Sequence, residues 1–315
     1  MRFVTMLPIH FAPLQGFTES AYRLAHSKFA PGIHTYYTPF LRLEKGEVRA
    51  RDLRDLQTEH PYHLVPQIIV RDVEEFNTLT KAVTELGFQE IDINMGCPYP
   101  MQTKSGRGSG ILPHPEKVRE ILDAINKLSQ PAAEPATDKS PKFSIKMRLG
   151  LTSPEESLQL LPLLNEAPLA HITLHPRVGI QQYKGALDFE AFDKFYRNCK
   201  QKLIFNGDIT DLKQIQYIET RYPKLAGIMI GRGLLANPVL ATQYAGLPCG
   251  TTTETLLKIH ADIAADYARR LQGNAQILDK IRPFWTYADL PKKNRKKIEK
   301  AKTLEEYLAA VNELA

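Results

Sequence analysis

Cys97 is the first residue of this chain whose type and place could do chemistry. It stands in Gly96-Cys97-Pro98, just past an apolar run that ends in Asn94 and just ahead of the glycine-rich Ser105-Gly106-Arg107-Gly108-Ser109-Gly110. A lone cysteine is more commonly buried filler than a reagent. A loop thiol at a strand end can nevertheless reach a substrate, and with a pKa of about 8.5 it is mostly protonated at neutral pH. It can donate that proton, or attack as a nucleophile if a base removes it. Spacing identifies no partner histidine, so the acid role is preferred. Other apolar runs end in Gln67, Lys146-Met147-Arg148 and His175-Pro176-Arg177. Two more end in Asn206-Gly207-Asp208 and Gly231-Arg232-Gly233, where glycine backbones can aim N–H groups at a phosphate and Arg232 can add charge-assisted hydrogen bonds. His171 and His175 have no defensible ligand spacing with Cys97, so a metal centre is not supported. His171, the histidines at 10, 26, 34, 60, 63 and 260, and His114 at a helix start are read as structural.

These residues need a scaffold that brings strand ends together. Buried-strand runs are expected at Met6–Ala12, Ile33–Thr38, His63–Val70, Glu90–Asn94, Phe143–Arg148, Ala170–His175, Lys202–Asn206 and Gly227–Ile230. Helix patterns lie between them. The clearest puts Val118, Ile121, Leu122, Ile125 and Leu128 at helical spacing after Pro113-His114-Pro115. Eight strands alternating with helices predict a (β/α)8 TIM barrel, whose chemistry collects at the C-terminal ends of the strands and whose last two loops commonly hold phosphate. A doubly wound sheet could use the same elements, but eight repeats favour closure. Gln130–Lys142, with Pro131, Pro135 and Pro141, reads as an exposed insertion before the fifth strand. After Gly250 the strands stop, and Thr253–Leu271, Ile277–Ala288 and Thr303–Leu314 read as helices. The expected organisation is a barrel over residues 1–247 followed by a small helical domain over residues 248–315.

The 315 residues are 43% hydrophobic and 24% charged, which supplies a sizeable core and excludes a disordered chain, a collagen-like fibre or a coiled coil. No apolar run is long enough to cross a membrane, the N-terminus lacks the form of a secretory signal, and three cysteines without a CxxC pair make no disulfide framework. A cytoplasmic protein is the expectation. The net charge is +6, yet residues 280–302 carry nine Lys/Arg against Asp289 and Glu299, a local +7. Such a block attracts polyanions, and its bland alternative is a solvated helix face.

Taken in order, Ala12-Pro13-Leu14-Gln15-Gly16-Phe17-Thr18-Glu19, Asn94-Met95-Gly96-Cys97-Pro98, Lys146-Met147-Arg148-Leu149-Gly150, Asn206-Gly207-Asp208-Ile209 and Met229-Ile230-Gly231-Arg232-Gly233 resemble the tRNA-dihydrouridine synthases over about residues 10–240. Lys280-Ile281-Arg282-Pro283-Phe284-Trp285 resembles, more loosely, that family's C-terminal RNA-binding domain. The resemblance implies an FMN-dependent oxidoreductase that uses NADPH to reduce the C5=C6 bond of selected uridines in tRNA. Pro13 and Leu14 would lie along the flavin, Gln67 and Lys146 would hydrogen-bond its ring, and His175 would contact the ring or the phosphate arm. Asn206, Gly207, Asp208, Gly231 and Arg232 would hold the phosphate end. Asn94 and Arg148 would grip the uracil, Arg177, Tyr183, Lys280 and Arg282 would add substrate contacts, and Cys97 would protonate C5 while hydride reaches C6. The implied partner is tRNA, with no membrane, no metal and no protein partner, the chain acting as a monomer.

The chain departs from that family's pattern at Leu14-Gln15 in place of Met-Glu, at Pro176 and Val178 in place of Gly and Thr, at Pro100 where some members carry Lys, and at Ser109 in place of Ala. Pro176 removes a backbone N–H and Val178 a hydroxyl. Two alternatives remain: a flavin-dependent dihydroorotate or dihydropyrimidine dehydrogenase acting on a free base, and a catalytically inactive tRNA-binding protein. The basic tail counts against the first, and intact Cys97, Lys146 and His175 against the second.

Overall fold

The apolar runs pair side by side because each must bury both faces, one inside a barrel and the other under helices. A computed structural model describes residues 6–130 and 140–315 of the chain. It contains β1 (Ile9–Phe11), β2 (Thr35–Tyr37), β3 in two pieces (Leu64–Val65 and Gln67–Ile68), β4 (Glu90–Met95), β5 (Lys142–Gly150), β6 (Leu169–Val178), β7 (Leu203–Asn206) and β8 (Gly227–Ile230). All eight expected runs form strands. Several are shorter than the apolar run, whereas β5 and β6 continue past Arg148 and His175 and pair as far as Gly150 and Val178. Of the expected insertion, residues 131–139 lie outside the described residues.

The sheet runs from Leu64–Val65 through β2, β1, β8, β7, β6, β5 and β4 to Gln67–Ile68, so its two edges are the two halves of β3. The barrel therefore closes at Pro66, which has no N–H to give a ladder. The seam is bridged around it. The Pro66 carbonyl accepts from the Asp92 N–H at 2.9 Å, the Thr38 N–H donates to Val65 O at 3.2 Å, and Thr38 Oγ1 accepts from the Gln67 N–H at 3.0 Å. This is the expected (β/α)8 barrel.

Alternation then sorts the side chains. Ile91, Ile93, Met95, Ile145 and Met147 are buried in one large core together with helix residues such as Phe76, Ile121, Leu160 and Phe192. Ala12, Tyr37, Val65, Ile204 and Met229 form a separate small cluster. Helix Pro115–Leu128 buries Val118, Ile121, Leu122 and Ile125 as its spacing predicts, while Leu128 at its end is exposed.

Beyond the barrel, helices span Thr252–Arg270, Asn274–Ile281, Lys292–Lys300 and Leu304–Asn312. The expected helix Ile277–Ala288 is broken, because Pro283 cannot continue it and Arg282–Thr286 tightens into a 3₁₀ turn. Lys292–Lys300 escaped sequence reading because only Ile298 on it is buried. Leu278, Ile281, Trp285, Ile298 and Tyr307 build a second core, yet Ile259 and Ile263 of the long helix belong to the barrel core. No helix among the described residues is long and apolar enough to cross a membrane.

Burial holds several histidines neutral: His10 and His26 are pushed down to about 3, and His171 and His260 to about 4. Their folded values lie below the unfolded value of about 6.5, so the stability they contribute is complete above that pH and is lost as the pH falls. Between about pH 6.5 and 4, each still-neutral histidine is expected to cost about 1.4 kcal/mol per pH unit. Urea unfolding measured across that range checks this, and a midpoint that does not move contradicts it.

Candidate active site

Register brings the strand-end residues together. In the parallel ladders Asn94 pairs with Lys146, and Arg148 with His175. They line a cleft of about 870 Å³ at the C-terminal ends of the strands, together with Pro13, Leu14, Cys97, Tyr183, Asn206, Gly207, Asp208, Gly231 and Arg232. Gln67, Arg177, Lys280 and Arg282, also predicted for the site, lie outside its lining.

Cys97 is 8% exposed, and burial raises its thiol above the ordinary range against the pull of a Tyr99 backbone contact, Arg148 and Lys146. The thiol is therefore protonated at neutral pH. Burial brings Lys146 down to about 8, helped by Arg148 and opposed by Asp92 and Cys97, so it remains largely cationic at neutral pH. Arg148, lowered by burial to about 10, stays charged. Its Nε donates to Gly96 O at 3.0 Å and its Nη1 to Val178 O at 3.1 Å, tying the Cys97 loop to the C-terminal end of β6. Burial, and then the charges of Arg148, Lys146, Arg177 and Arg232, keep His175 far below its usual value. It is therefore a neutral imidazole at physiological pH.

The loop after β7 turns through Asp208, whose φ of 42° is left-handed. Asp208 Oδ1 accepts from Arg177 Nη1 at 3.0 Å and from Arg232 Nη2 at 2.8 Å, and Oδ2 pairs with Arg177 Nη2. Burial works to raise this carboxyl, but the bond and charge of Arg177, with Arg232, outweigh it and hold it below the ordinary range. An ionised carboxylate repels phosphate, so what Asp208 does in this geometry is aim two guanidinium groups. Arg232 also lies over the Tyr183 ring, 4.3 Å from its centroid.

Arg177 donates to Gly185 O at 2.7 Å and is wholly engaged inside the protein. Gln67 is fully buried, its amide held between Asp92 and Asn94. Lys280 reaches Glu19 Oε2 on the barrel at 3.5 Å, and Arg282 Nη2 donates to Ala301 O at 2.9 Å, so both brace the helical unit. The glycine-rich stretch after Cys97 acts as a clamp: Ser109 donates to Cys97 O from both its N–H (3.0 Å) and its Oγ (3.1 Å). Sequence reading missed Arg42, Tyr99, Met101 and Tyr287 on the cleft wall. Tyr287 comes from the helical unit and packs on Phe17, centroids 5.1 Å apart, and no local pattern marked it.

The family model described as dihydrouridine synthase (Dus) matches residues 10–315, nearly the whole chain. The chain belongs to the dihydrouridine synthase family. It is an enzyme of that family, and its relatives agree. A Bacillus subtilis protein named probable tRNA-dihydrouridine synthase 2 is 27% identical over 82% of this chain and 78% of its own. A Staphylococcus epidermidis protein named probable tRNA-dihydrouridine synthase is 28% identical over 84% and 81%. Among solved structures, morphinone reductase in complex with tetrahydroNAD superposes with a TM-score of 0.53 at 11% identity, covering 80% of this chain and 91% of that one. A second morphinone reductase structure gives 0.51 at 12% identity, covering 79% and 89%. These likenesses establish the fold.

In this dihydrouridine synthase the clamp leaves no room at Gly108, whose φ is 61° and where an added Cβ would lie 2.6 Å from Cys97 O. Gly108→Ala is expected to lower the unfolding free energy by about 2 kcal/mol or more. Gly87→Ala, equally left-handed at φ 92° but with open space around it, should cost only about 1 kcal/mol. Urea denaturation of the two variants checks the difference; equal losses would remove the clamp.

Proposed function

We propose that this chain reduces the C5=C6 bond of particular uridines in tRNA to dihydrouridine, with FMN as resident cofactor and NADPH as the reductant that recharges it. The observation that carries the reading is a protonated Cys97 thiol sharing one cleft with Lys146, Arg148 and Arg232. FMN fits this donor set. The cleft is large enough for a flavin, Lys146 makes no salt bridge among the described residues, and Arg232 stands beside Gly231 at the phosphate end. When bound, reduced FMN supplies the hydride for C6.

The protein's part is proton supply and charge placement. Hydride arriving at C6 drives negative charge towards C5 and O4, and the Cys97 thiol quenches it by giving its proton to C5. Lys146 and Arg148 place positive potential where that charge develops, in a site shielded from water. Neutral His175 can give or accept a hydrogen bond without adding a further charge. A uridine stacked inside folded tRNA cannot enter such a cleft, so the base must be extruded, with Tyr99, Met101 and Tyr287 at the cleft wall to meet it.

We assign residues 1–247 to catalysis and residues 248–315 to holding tRNA, in a monomeric cytoplasmic enzyme. What supports the second assignment is an exposed set of lysines, Lys292, Lys293, Lys296 and Lys300, that make no salt bridge among the described residues. Lys297 differs, since Glu313 binds it at 2.6 Å.

Cys97→Ala should keep the yellow cofactor and its reduction by NADPH while uridine reduction falls by about 100-fold or more. Dihydrouridine mapped position by position in tRNA, from cells with the wild-type gene, the variant or neither, reads this directly; normal product from the variant would remove the acid role. Replacing Lys292, Lys293, Lys296 and Lys300 by Gln should weaken tRNA binding and flatten its dependence on salt, the log–log slope falling by about 0.7–0.9 for each phosphate no longer neutralised. An unchanged slope would return that helix to an ordinary solvated face.

A further inference from the structure

Asp92 is a wholly buried carboxylate on β4, two residues before Asn94 and outside the lining of the cleft. It makes no salt bridge among the described residues. A buried carboxylate with no paired cation is costly, so stability alone gives no reason for one here. Its bonds lead towards Cys97. Asp92 Oδ1 accepts from Ser144 Oγ at 2.6 Å, and Oδ2 accepts from Gln67 Nε2 at 2.7 Å. Gln67 Oε1 accepts from Asn94 Nδ2 at 2.9 Å. Asn94 Oδ1 accepts from the backbone N–H groups of Gly96 at 3.0 Å and Cys97 at 2.8 Å.

Amide side chains can be turned end for end without changing shape, so their partners decide their sense. Here both ends of the chain admit one sense only. The N–H groups of Gly96 and Cys97 can only donate, so Asn94 must show them its oxygen and turn its nitrogen to Gln67. An ionised carboxylate can only accept, so Gln67 must show Asp92 its nitrogen and turn its oxygen to Asn94. The two requirements meet at the Gln67–Asn94 bond and agree. Burial raises Asp92 to about 6, against the bonds of Gln67 and Ser144 and the charge of Lys146, so it is ionised at neutral pH and the sense holds.

We infer that Asp92 is a positioning residue for Cys97, orienting Gln67 and Asn94 head to tail so that Asn94 holds the backbone of the loop that carries the thiol. The inference deepens the reading of Cys97 as proton donor and rests on it. If Asp92 is lost, nothing holds the Gln67 nitrogen and Gln67 is free to reverse, which would set its nitrogen against Asn94 Nδ2, push Asn94 off the two N–H donors and loosen the loop. A displacement of the thiol by an ångström is enough to cost about 10- to 100-fold in the protonation step.

The experiment is alkylation of each cysteine by iodoacetamide in the holoenzyme, followed by peptide mass spectrometry, beside steady-state kinetics on tRNA. Cys199 and Cys249, distant in sequence, serve as internal references. Asp92→Ala should speed labelling of Cys97 severalfold with Cys199 and Cys249 unchanged, and lower kcat about tenfold with KM for tRNA unaltered. Asp92→Asn can still accept from Gln67 while its NH₂ meets Ser144 Oγ, so it should restore labelling and kcat close to wild type. Ser144→Ala removes a bond to the same carboxylate without cutting the chain, and should leave Cys97 labelling as it was. If Asp92→Ala does not fold, Gln67→Met cuts the chain at its middle and is expected to expose Cys97 in the same way. Unchanged Cys97 labelling in a folded Asp92→Ala or Gln67→Met protein overturns the inference, as does equal acceleration at all three cysteines. The labelling is read without tRNA, so it decides the coupling even if uridine reduction fails for the wild-type protein.

Discussion

Parallel strands carry their side chains side by side, and the register of β4, β5 and β6 is the constraint on which the site depends. With Asn94 beside Lys146 and Arg148 beside His175, four polar side chains meet at one cleft. A slip of one residue would turn Met95, Met147 and Leu174 to the cleft and bury the polar set under helices. What prevents the slip is packing on the far face of the same strands. Ile91, Ile93, Met95, Ile145 and Met147 are all within 1% of full burial, in one core with the surrounding helices. The chemistry on the inside is thus held in place by apolar contacts on the outside.

Positive charge is the second organising term. Lys146, Arg148, Arg177 and Arg232 gather around the cleft, and Asp208 is the carboxylate that pairs with two of them. Burying cations is costly unless something is gained at the site. What results here is a neutral His175 and a pocket with surplus positive potential. The same burial raises the thiol of Cys97 and keeps its proton on. One physical cause, exclusion of water, therefore sets the protonation state of the thiol, the imidazole and the lysine together.

The helical unit takes part in the site and is more than an appendage. Its long helix shares Ile259 and Ile263 with the barrel core, Lys280 reaches Glu19, and Tyr287 supplies part of the cleft wall. The basic residues of its block divide by geometry. Arg282 and Arg295 are spent on the carbonyls of Ala301 and Ala288, while Lys292, Lys293, Lys296 and Lys300 face solvent. Formal charge along the sequence counts all of them alike, although Arg282 and Arg295 are bound to the protein's own carbonyls and the second group is not.

The barrel was legible in the sequence because strands buried on both faces read as short, largely apolar stretches, and eight of these, even with polar members such as Asp92 and Ser144, alternate with helices. The polar residues ending those runs were legible for the same reason: a titratable side chain after an apolar stretch marks where the strand leaves the core. Thus Cys97, Lys146, Arg148, His175 and Arg232 could be picked by position alone. Partners could not. The sequence does not say that Gln67 turns away from the cleft towards Asp92, that Arg177 is consumed by Asp208 and Gly185, or that Gly108 lies against the Cys97 carbonyl. Nor does it say that Tyr287, nearly 200 residues from Cys97, shares its cleft. Local periodicity reports which face of an element is buried. Which groups meet there is decided only when the barrel closes at Pro66 and the helical unit docks, since hydrogen bonds and desolvation act over a few ångströms in space and are indifferent to separation along the chain.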